Sequence, residues 1–132
     1  MRALIAVLAL LLLPATSVAQ TPTPVTATSL VSFAASANHA TTDRYDLEIV
    51  ANNGLGPIFL TKSLGKPTPT AANDIVLTVP ELGTLVAGMT YRATVIAVNT
   101  AGSGRSAFSN PFVKAPTLMP PAPPGTPRVG TP

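Results

Sequence analysis

Side chains capable of acid-base or metal chemistry are few in this sequence and stand far apart. His39 is the only histidine, and it lies among Ser, Asn, Ala and Thr. Asp46 and Glu48 alternate with apolar neighbours, so on a strand both carboxylates face one side, where they could hold a cation or a substrate hydroxyl. Solvated surface charge is the favoured interpretation, because no phosphate loop, hydrolase elbow or metal-ligand spacing occurs. We expect no enzyme, no catalytic residue, no cofactor and no metal.

The N-terminus has the three parts of a secretory signal peptide. Arg2 precedes eleven apolar residues, 3–13, which are followed by Pro14 and a small-residue site at 17–19. Eleven apolar residues are too few for a membrane-spanning helix, which needs about 20. We predict cleavage after Ala19 and a secreted or periplasmic protein with no membrane span after cleavage.

Charge is scarce and cysteine is absent. Eight Lys or Arg and five Asp or Glu give a formal net charge of +3, and the cations are scattered along the chain. A basic field for nucleic acid is therefore missing. Without cysteine there is no disulfide framework, thiol nucleophile or thiolate metal site. A surface of Thr, Ser, Asn, Ala and Pro suits a matrix or an assembly, or simply a soluble, weakly charged domain.

Short alternating runs separated by turn formers predict an all-β domain. The predicted strands lie at 25–28, 30–36, 44–51 and 58–63, and then near Asp74, Tyr91 and Ala107. The Asn-Asn-Gly sequence at 52–54 predicts a tight turn between the third and fourth strands. Pro80 ends the fifth strand.

Residues 85–106 are the most informative part of the chain. Gly88 supplies turn conformations closed to other residues, and from Tyr91 to Asn99 small or apolar residues alternate with a mixed polar face. Turn formers at 99–106 predict a hairpin loop before the last strand.

This stretch resembles the corner, strand and loop of a fibronectin type III domain. Ala87 replaces the family's usual proline, and the other matching positions are Leu85, Gly88, Tyr91, Val95, Ala97, Asn99, Gly102 and Gly104. The sequence Leu-Val-Ser-Phe at 30–33 resembles the segment that normally ends in tryptophan, and Tyr45-x-Leu47-x-Ile49 resembles the family's Tyr-x-Val-x-Tyr pattern.

The resemblance implies a seven-stranded immunoglobulin-like β-sandwich of fibronectin type III type over residues 25–115. It implies that the Tyr91 hydroxyl bonds to backbone near Leu85 or Val86. The chain has no tryptophan, and Phe33 is expected to occupy most of that space. The predicted structural residues are Tyr91, Gly88, Leu85, Phe33 and Tyr45.

The sequence thus divides into a signal peptide (1–19), a leader (20–24), the domain (25–115) and a proline-rich tail (116–132). Seven of the seventeen tail residues are proline, which favours extended polyproline conformations. The tail is interpreted as a disordered end or spacer. The alternative is a ligand for an aromatic-lined groove.

Two noncatalytic functions remain open. The first is recognition of a protein or a matrix or cell-surface polysaccharide through loops 37–43 and 100–106. Its candidate residues are Asn38, His39, Thr100, Ser103 and Arg105. The alternative is a structural spacer or assembly subunit of an envelope or extracellular complex, which would use unpaired strand edges and the tail.

Overall fold

A computed structural model describes residues 20–117, 121–125 and 127–130 of the chain. The predicted signal peptide and part of the predicted tail lie outside these residues. The described chain is built of β-strands with three short 3-10 turns, so the all-β prediction is confirmed. The strands are β1 (Thr23–Val25), β2 (Leu30–Ala34), β3 (Arg44–Val50), β4 (Ile58–Gly65), β5 (Asp74–Thr78), β6 (Thr90–Asn99), β7 (Gly102–Arg105) and β8 (Phe112–Lys114).

The described strands form two sheets of unequal width. The larger has the order β1-β8-β6-β3-β4, and β7 also pairs with β6. The smaller contains only β2 and β5, which pair in antiparallel fashion with Ser32 opposite Val76. The β1–β8 pairing is parallel, whereas the other pairings are antiparallel.

The inner faces of the two sheets pack together around two clusters of buried side chains. Alternation along β3 places Leu47 and Ile49 in the larger cluster, whereas Tyr45 joins Ile75 of β5 in the smaller one. Leu82, in the 3-10 turn Pro80–Thr84, is also buried. This turn accommodates the long connection between β5 and β6, and its apolar side chain joins the core.

A buried tyrosine organises the turn that leads into β6. Gly88 has a φ of 81°, a left-handed conformation that favours glycine. Leu85, three residues earlier, is buried. The Val86 N–H donates to the Tyr91 hydroxyl oxygen at 3.0 Å. The hydrogen bond expected near Leu85 or Val86 is therefore present at Val86. The Tyr91 ring meets Phe59 edge-on, with centroids 5.2 Å apart.

The first strand differs from the prediction of 25–28. It spans Thr23–Val25, so two residues assigned to the leader pair with β8. Thr26 and Ser29 form a turn in which the Thr26 N–H donates to the Ser29 hydroxyl and the Ser29 N–H donates to the Thr26 carbonyl. These local hydrogen bonds compete with strand pairing and end β1 at Val25.

The last strand is divided in two, which corrects both the predicted strand near Ala107 and the predicted loop at 99–106. The Asn99 side-chain oxygen accepts the N–H groups of Ala101 and Gly102, so a two-residue turn already closes the hairpin. Residues 102–105 are therefore strand β7. Beyond it, the hydroxyl of Ser106 accepts the Val95 N–H in place of a backbone carbonyl.

Strand β4 lies at one edge of the larger sheet and carries a charge on its inner side. Two irregularities in its pairing with β3 occur beside Phe59 and Leu64. Lys62 forms a salt bridge with Glu81 of the Pro80–Thr84 turn. Bulges and an inward-pointing lysine both discourage pairing with another chain. The salt bridge also joins β4 to the connection that follows β5.

Replacing Tyr91 with phenylalanine should remove one hydrogen bond while keeping the ring in the core. Because the Val86 N–H would lose its partner, we expect a loss of about 1 to 3 kcal/mol in the free energy of unfolding. Urea denaturation measures this, with Thr61→Ala on the exposed side of β4 as a control. An unchanged midpoint for Tyr91→Phe would refute the structural role of the hydroxyl.

The Lys62–Glu81 pair should make stability depend on pH. The hydrogen bond from Lys62, followed by a backbone hydrogen bond, lowers the pKa of the Glu81 carboxyl from its ordinary value of 4.5. The contribution is therefore complete above the unfolded-state pKa and is lost as pH falls through the lower folded-state pKa.

Glu81→Gln should accordingly have a lower denaturation midpoint than the wild type at pH 7, and the difference should shrink as the pH falls below about 4. Urea denaturation over this pH range tests the prediction, and Asp43→Asn serves as the control for removing one acidic side chain. A wild-type advantage that stayed constant down to pH 2 would contradict it.

Candidate functional site

The loop between β2 and β3 is held by its own backbone and hydroxyl groups. The Asn38 carbonyl accepts hydrogen bonds from the Thr41 N–H and from the hydroxyls of Thr41 and Thr42. These contacts close the 3-10 turn His39–Thr41. The Asn38 side chain is exposed on this hydrogen-bonded turn, which suits a contact residue.

His39 has a structural partner inside the protein. Its Nδ1 lies 2.8 Å from the hydroxyl oxygen of Tyr45, and the two rings stack with centroids 5.8 Å apart. The same hydroxyl accepts the Ser36 N–H at 3.1 Å, so its one proton is available for Nδ1. His39, predicted as a binding residue, thus supports the loop.

Arg105, predicted to lie in the recognition loop 100–106, lies in β7 instead. Its guanidinium donates to the Glu48 carboxylate and, at 2.9 Å, to the Thr94 hydroxyl. Ser103 belongs to the same strand. The hydrogen bond to Glu48 raises the pKa of the Arg105 guanidinium, which stays fully charged. Arg105 therefore links β7 to β3 across the outer face of the sheet.

Asp46, the other carboxylate that could have held a cation, also has a cationic partner. The Arg44 Nε lies 3.2 Å from each of its oxygens. Arg44 and Arg105 thus separately neutralise the two carboxylates that the sequence places on one face. Within the described parts of the chain, no three His, Asp or Glu side chains are grouped as metal ligands would be.

Two of the predicted loops meet at one end of the molecule, where the Asp43 N–H donates to the Val98 carbonyl at 2.8 Å. An open groove of about 360 Å³ lies between them. Its polar side chains are Ser36, Asn38, Thr42, Asn99 and Ser103. Hydroxyl and amide groups of this kind bind polar, uncharged groups by hydrogen bonding.

This groove, which we call the loop groove, includes only part of the predicted site. Asn38 and Ser103 line it, whereas His39, Thr100 and Arg105 do not. Thr42 and Asn99 were missed as lining residues. The polar stretch after β2 and the Asn-Thr-Ala-Gly turn were the available signals, but it is the pairing of β3 with β6, continued by the hydrogen bond between Asp43 and Val98, that brings them together.

The opposite end of the molecule is apolar at its surface. Val50 at the end of β3 lies opposite Arg92 near the start of β6, so the 52–54 turn and the corner before β6 share this end. The large exposed side chains in these segments and nearby are Leu55, Ile58, Phe59, Val86, Met89 and Phe108. Gly54 has a φ of 85°, and a side chain there would touch the Phe108 ring at 3.4 Å.

Among the described residues, no helix has the length and apolar character required to cross a bilayer. The short 3-10 turns contain three to five residues each.

The fold and surfaces define an all-β protein made of two packed sheets. Comparison of the chain with models of protein families, with curated proteins and with solved structures finds no match in any of the three.

The structural role of His39 can be tested by removing its side chain. His39→Ala should leave the Tyr45 hydroxyl without the imidazole and lower the free energy of unfolding by about 1 kcal/mol. Asn38→Ala is the matched control, because it changes the neighbouring exposed side chain and keeps the carbonyl that closes the turn. Equal denaturation midpoints for the two variants would contradict this role.

Proposed function

We propose that the chain is an exported, noncatalytic module of fibronectin type III type that recognises a protein or a surface polysaccharide. The observation that carries this proposal is the loop groove, in which the loop 37–43 and the hairpin of β6 and β7 present polar groups at one end of the larger sheet. Recognition residues commonly lie on loops that a stable scaffold positions.

The fibronectin type III assignment is supported by three local features. The buried Tyr91 accepts a hydrogen bond from the corner that precedes its strand. Tyr45 and Leu47 alternate inward on β3, as the resemblance implies. Phe33 packs beside Tyr45, with ring centroids 5.4 Å apart, where the family has tryptophan.

A noncatalytic role is supported by what the reactive side chains already contact. His39 uses Nδ1 for Tyr45, and Glu48 and Asp46 each contact an arginine. A general base must reach a substrate proton, and these groups are engaged within the protein.

The alternative function, a spacer or assembly subunit, is favoured by the apolar end described above. Leu55, after the 52–54 turn, is 86% exposed, and Ile58, at the start of β4, is 55% exposed, so two large apolar side chains are exposed close together in the chain. An assembly subunit would cover these side chains with a neighbouring protein.

Photo-crosslinking at the two ends distinguishes the two functions. A photoreactive amino acid at Thr100 samples the loop end, one at Leu55 samples the apolar end, and one at Thr61 on the exposed side of β4 is the control. Recognition through the loop groove predicts a discrete adduct from Thr100 in the exported fraction, lost when Asn38 is changed to Lys. Adducts from Leu55 alone would instead support the assembly function.

The N-terminal residue of the same exported protein tests its targeting. Cleavage after Ala19 predicts that the mature chain begins at Gln20. A protein retained in the cell with its first residues intact would contradict the export proposal.

A further inference from the structure

Among the described strands, the smaller sheet has a free edge along β2. There β2 pairs with β5 on one side only, because β1 pairs with β8 of the larger sheet. The pairing pattern identifies the backbone groups at this edge. The Ala35 N–H donates to the Asn73 carbonyl at 2.9 Å, and in an antiparallel pair the residues that face the partner alternate. The N–H and C=O groups of Ser32 and Ala34 therefore point away from β5.

A groove runs along this edge in two sections. One section, of about 200 Å³, lies beside Leu30, Val31 and Ser32 and is also lined by Ile49 and Ala93. The second, of about 360 Å³, lies beside Phe33 and Ala34.

The floor of this second section contains Tyr45, Val95 and Ala97. We call the two sections together the β2 groove. Both expose the edge of β2 and apolar side chains that face the space between the sheets.

Small residues on the far side keep the β2 groove open. Gly104 of β7 lines it, and a side chain at that position would meet nothing within 4 Å. Ser106 and Ser109 direct their hydroxyls to the backbone of β6, where they accept the N–H groups of Val95 and Ala93. Gly104, Ser106 and Ser109 therefore place little volume in the groove.

The larger sheet limits what can fit. Thr23 and Val25 of β1 and Phe112 of β8 line the groove opposite β2, so the larger sheet continues past the β2 edge. Direct pairing of β2 with the β2 of a second copy would bring these overhanging strands together. An added strand would lie about 4.8 Å from β2, on the side of its free edge.

The groove is also nearly uncharged. Arg105 is the only residue with a formal charge among its lining residues, and Glu48 holds that guanidinium. Burying a charged side chain here would leave it without a partner, which is costly. Electrostatic complementarity therefore selects a neutral occupant.

We propose that the β2 groove binds an extended, uncharged segment of a partner protein, which pairs with β2 as an added strand and directs alternate apolar side chains between the sheets. Addition of a strand at a free edge uses backbone hydrogen bonds for affinity and pockets for alternate side chains. The β2 groove shares Ser36, Ala97 and Gly104 with the loop groove, but the free edge of β2 belongs to the β2 groove alone, so Ser32→Pro tests this binding separately from recognition by the loops.

The probe is a fluorescent peptide of alternating Thr and Val residues with one Lys at each end, added to the protein expressed as its full chain. Fluorescence anisotropy should show saturable binding. Two N-methylated forms of the peptide are compared, one methylated on the backbone nitrogen of every Val and the other on that of every Thr. In an extended peptide these two sets of backbone nitrogens point to opposite edges of the strand. One form should bind and the other should not, because only the amides facing β2 form the ladder.

Two variants test the site from the protein side. Ser32→Pro removes an N–H that points away from β5, and proline is tolerated on an edge strand in that orientation. Gly104→Val adds a side chain within the groove and leaves β2 unchanged. Each should weaken peptide binding by about tenfold or more. Ser63→Ala on β4 is the control and should bind as the wild type does.

Hydrogen exchange supplies an independent measurement that does not rely on a variant. The amides of Ser32 and Ala34 should exchange quickly in the free protein and slowly with the peptide bound, whereas Val31 and Phe33 should be protected in both. Absence of binding at about 1 mM peptide, or equal binding of both methylated forms, would overturn the proposal. Self-association that Ser32→Pro abolishes, without peptide binding, would overturn it in favour of a second copy.

Discussion

Two buried tyrosines at opposite ends of the core connect its packing to the loops. The rings of Tyr45 and Tyr91 are almost fully buried, and each hydroxyl accepts a backbone N–H, from Ser36 and Val86 respectively. A buried hydroxyl without a partner is costly, so packing of the ring and placement of the loop depend on one another. The larger sheet is thereby tied to the segment after β2 at one end and to the corner before β6 at the other. In a chain without tryptophan or cysteine, these contacts join both ends of the fold to its core.

The unequal width of the sheets follows from the strand with which β1 pairs. Its pairing with β8 extends the larger sheet and leaves one edge of β2 free. At the same time, Ala93, Ala97 and Gly104 place little volume where the sheets part. Backbone pairing and side-chain size therefore act together to produce a groove that is bounded by a strand edge. By contrast, the inward Lys62 of β4 and its salt bridge with Glu81 discourage another chain from pairing with the β4 edge of the larger sheet.

Polar and apolar surface side chains lie at opposite ends of the strands. Side-chain hydroxyls and amides, the latter from Asn38 and Asn99, lie where the chain passes from β2 to β3 and from β6 to β7. Large apolar side chains such as Leu55 are exposed at the other end. Arg105 is paired with Glu48 across the sheet, Arg44 with Asp46 along β3, and Lys62 with Glu81, so these charges contribute more to the scaffold than to an electrostatic field.

The sequence by itself determined the features that depend on neighbouring residues. Alternation predicted the inner face of β3 and β6, and Gly88 with Tyr91 predicted the corner and its hydrogen bond to Val86. The partner of β1, the division of the last strand and the contacts of Arg105 were decided only by the tertiary structure. Each depends on groups that are distant in sequence but adjacent in space: β8 for the first strand, the β6 backbone for Ser106, and Glu48 for Arg105. A local pattern reports which face of a strand is apolar, but it does not report which edge or charge the completed fold will place beside it.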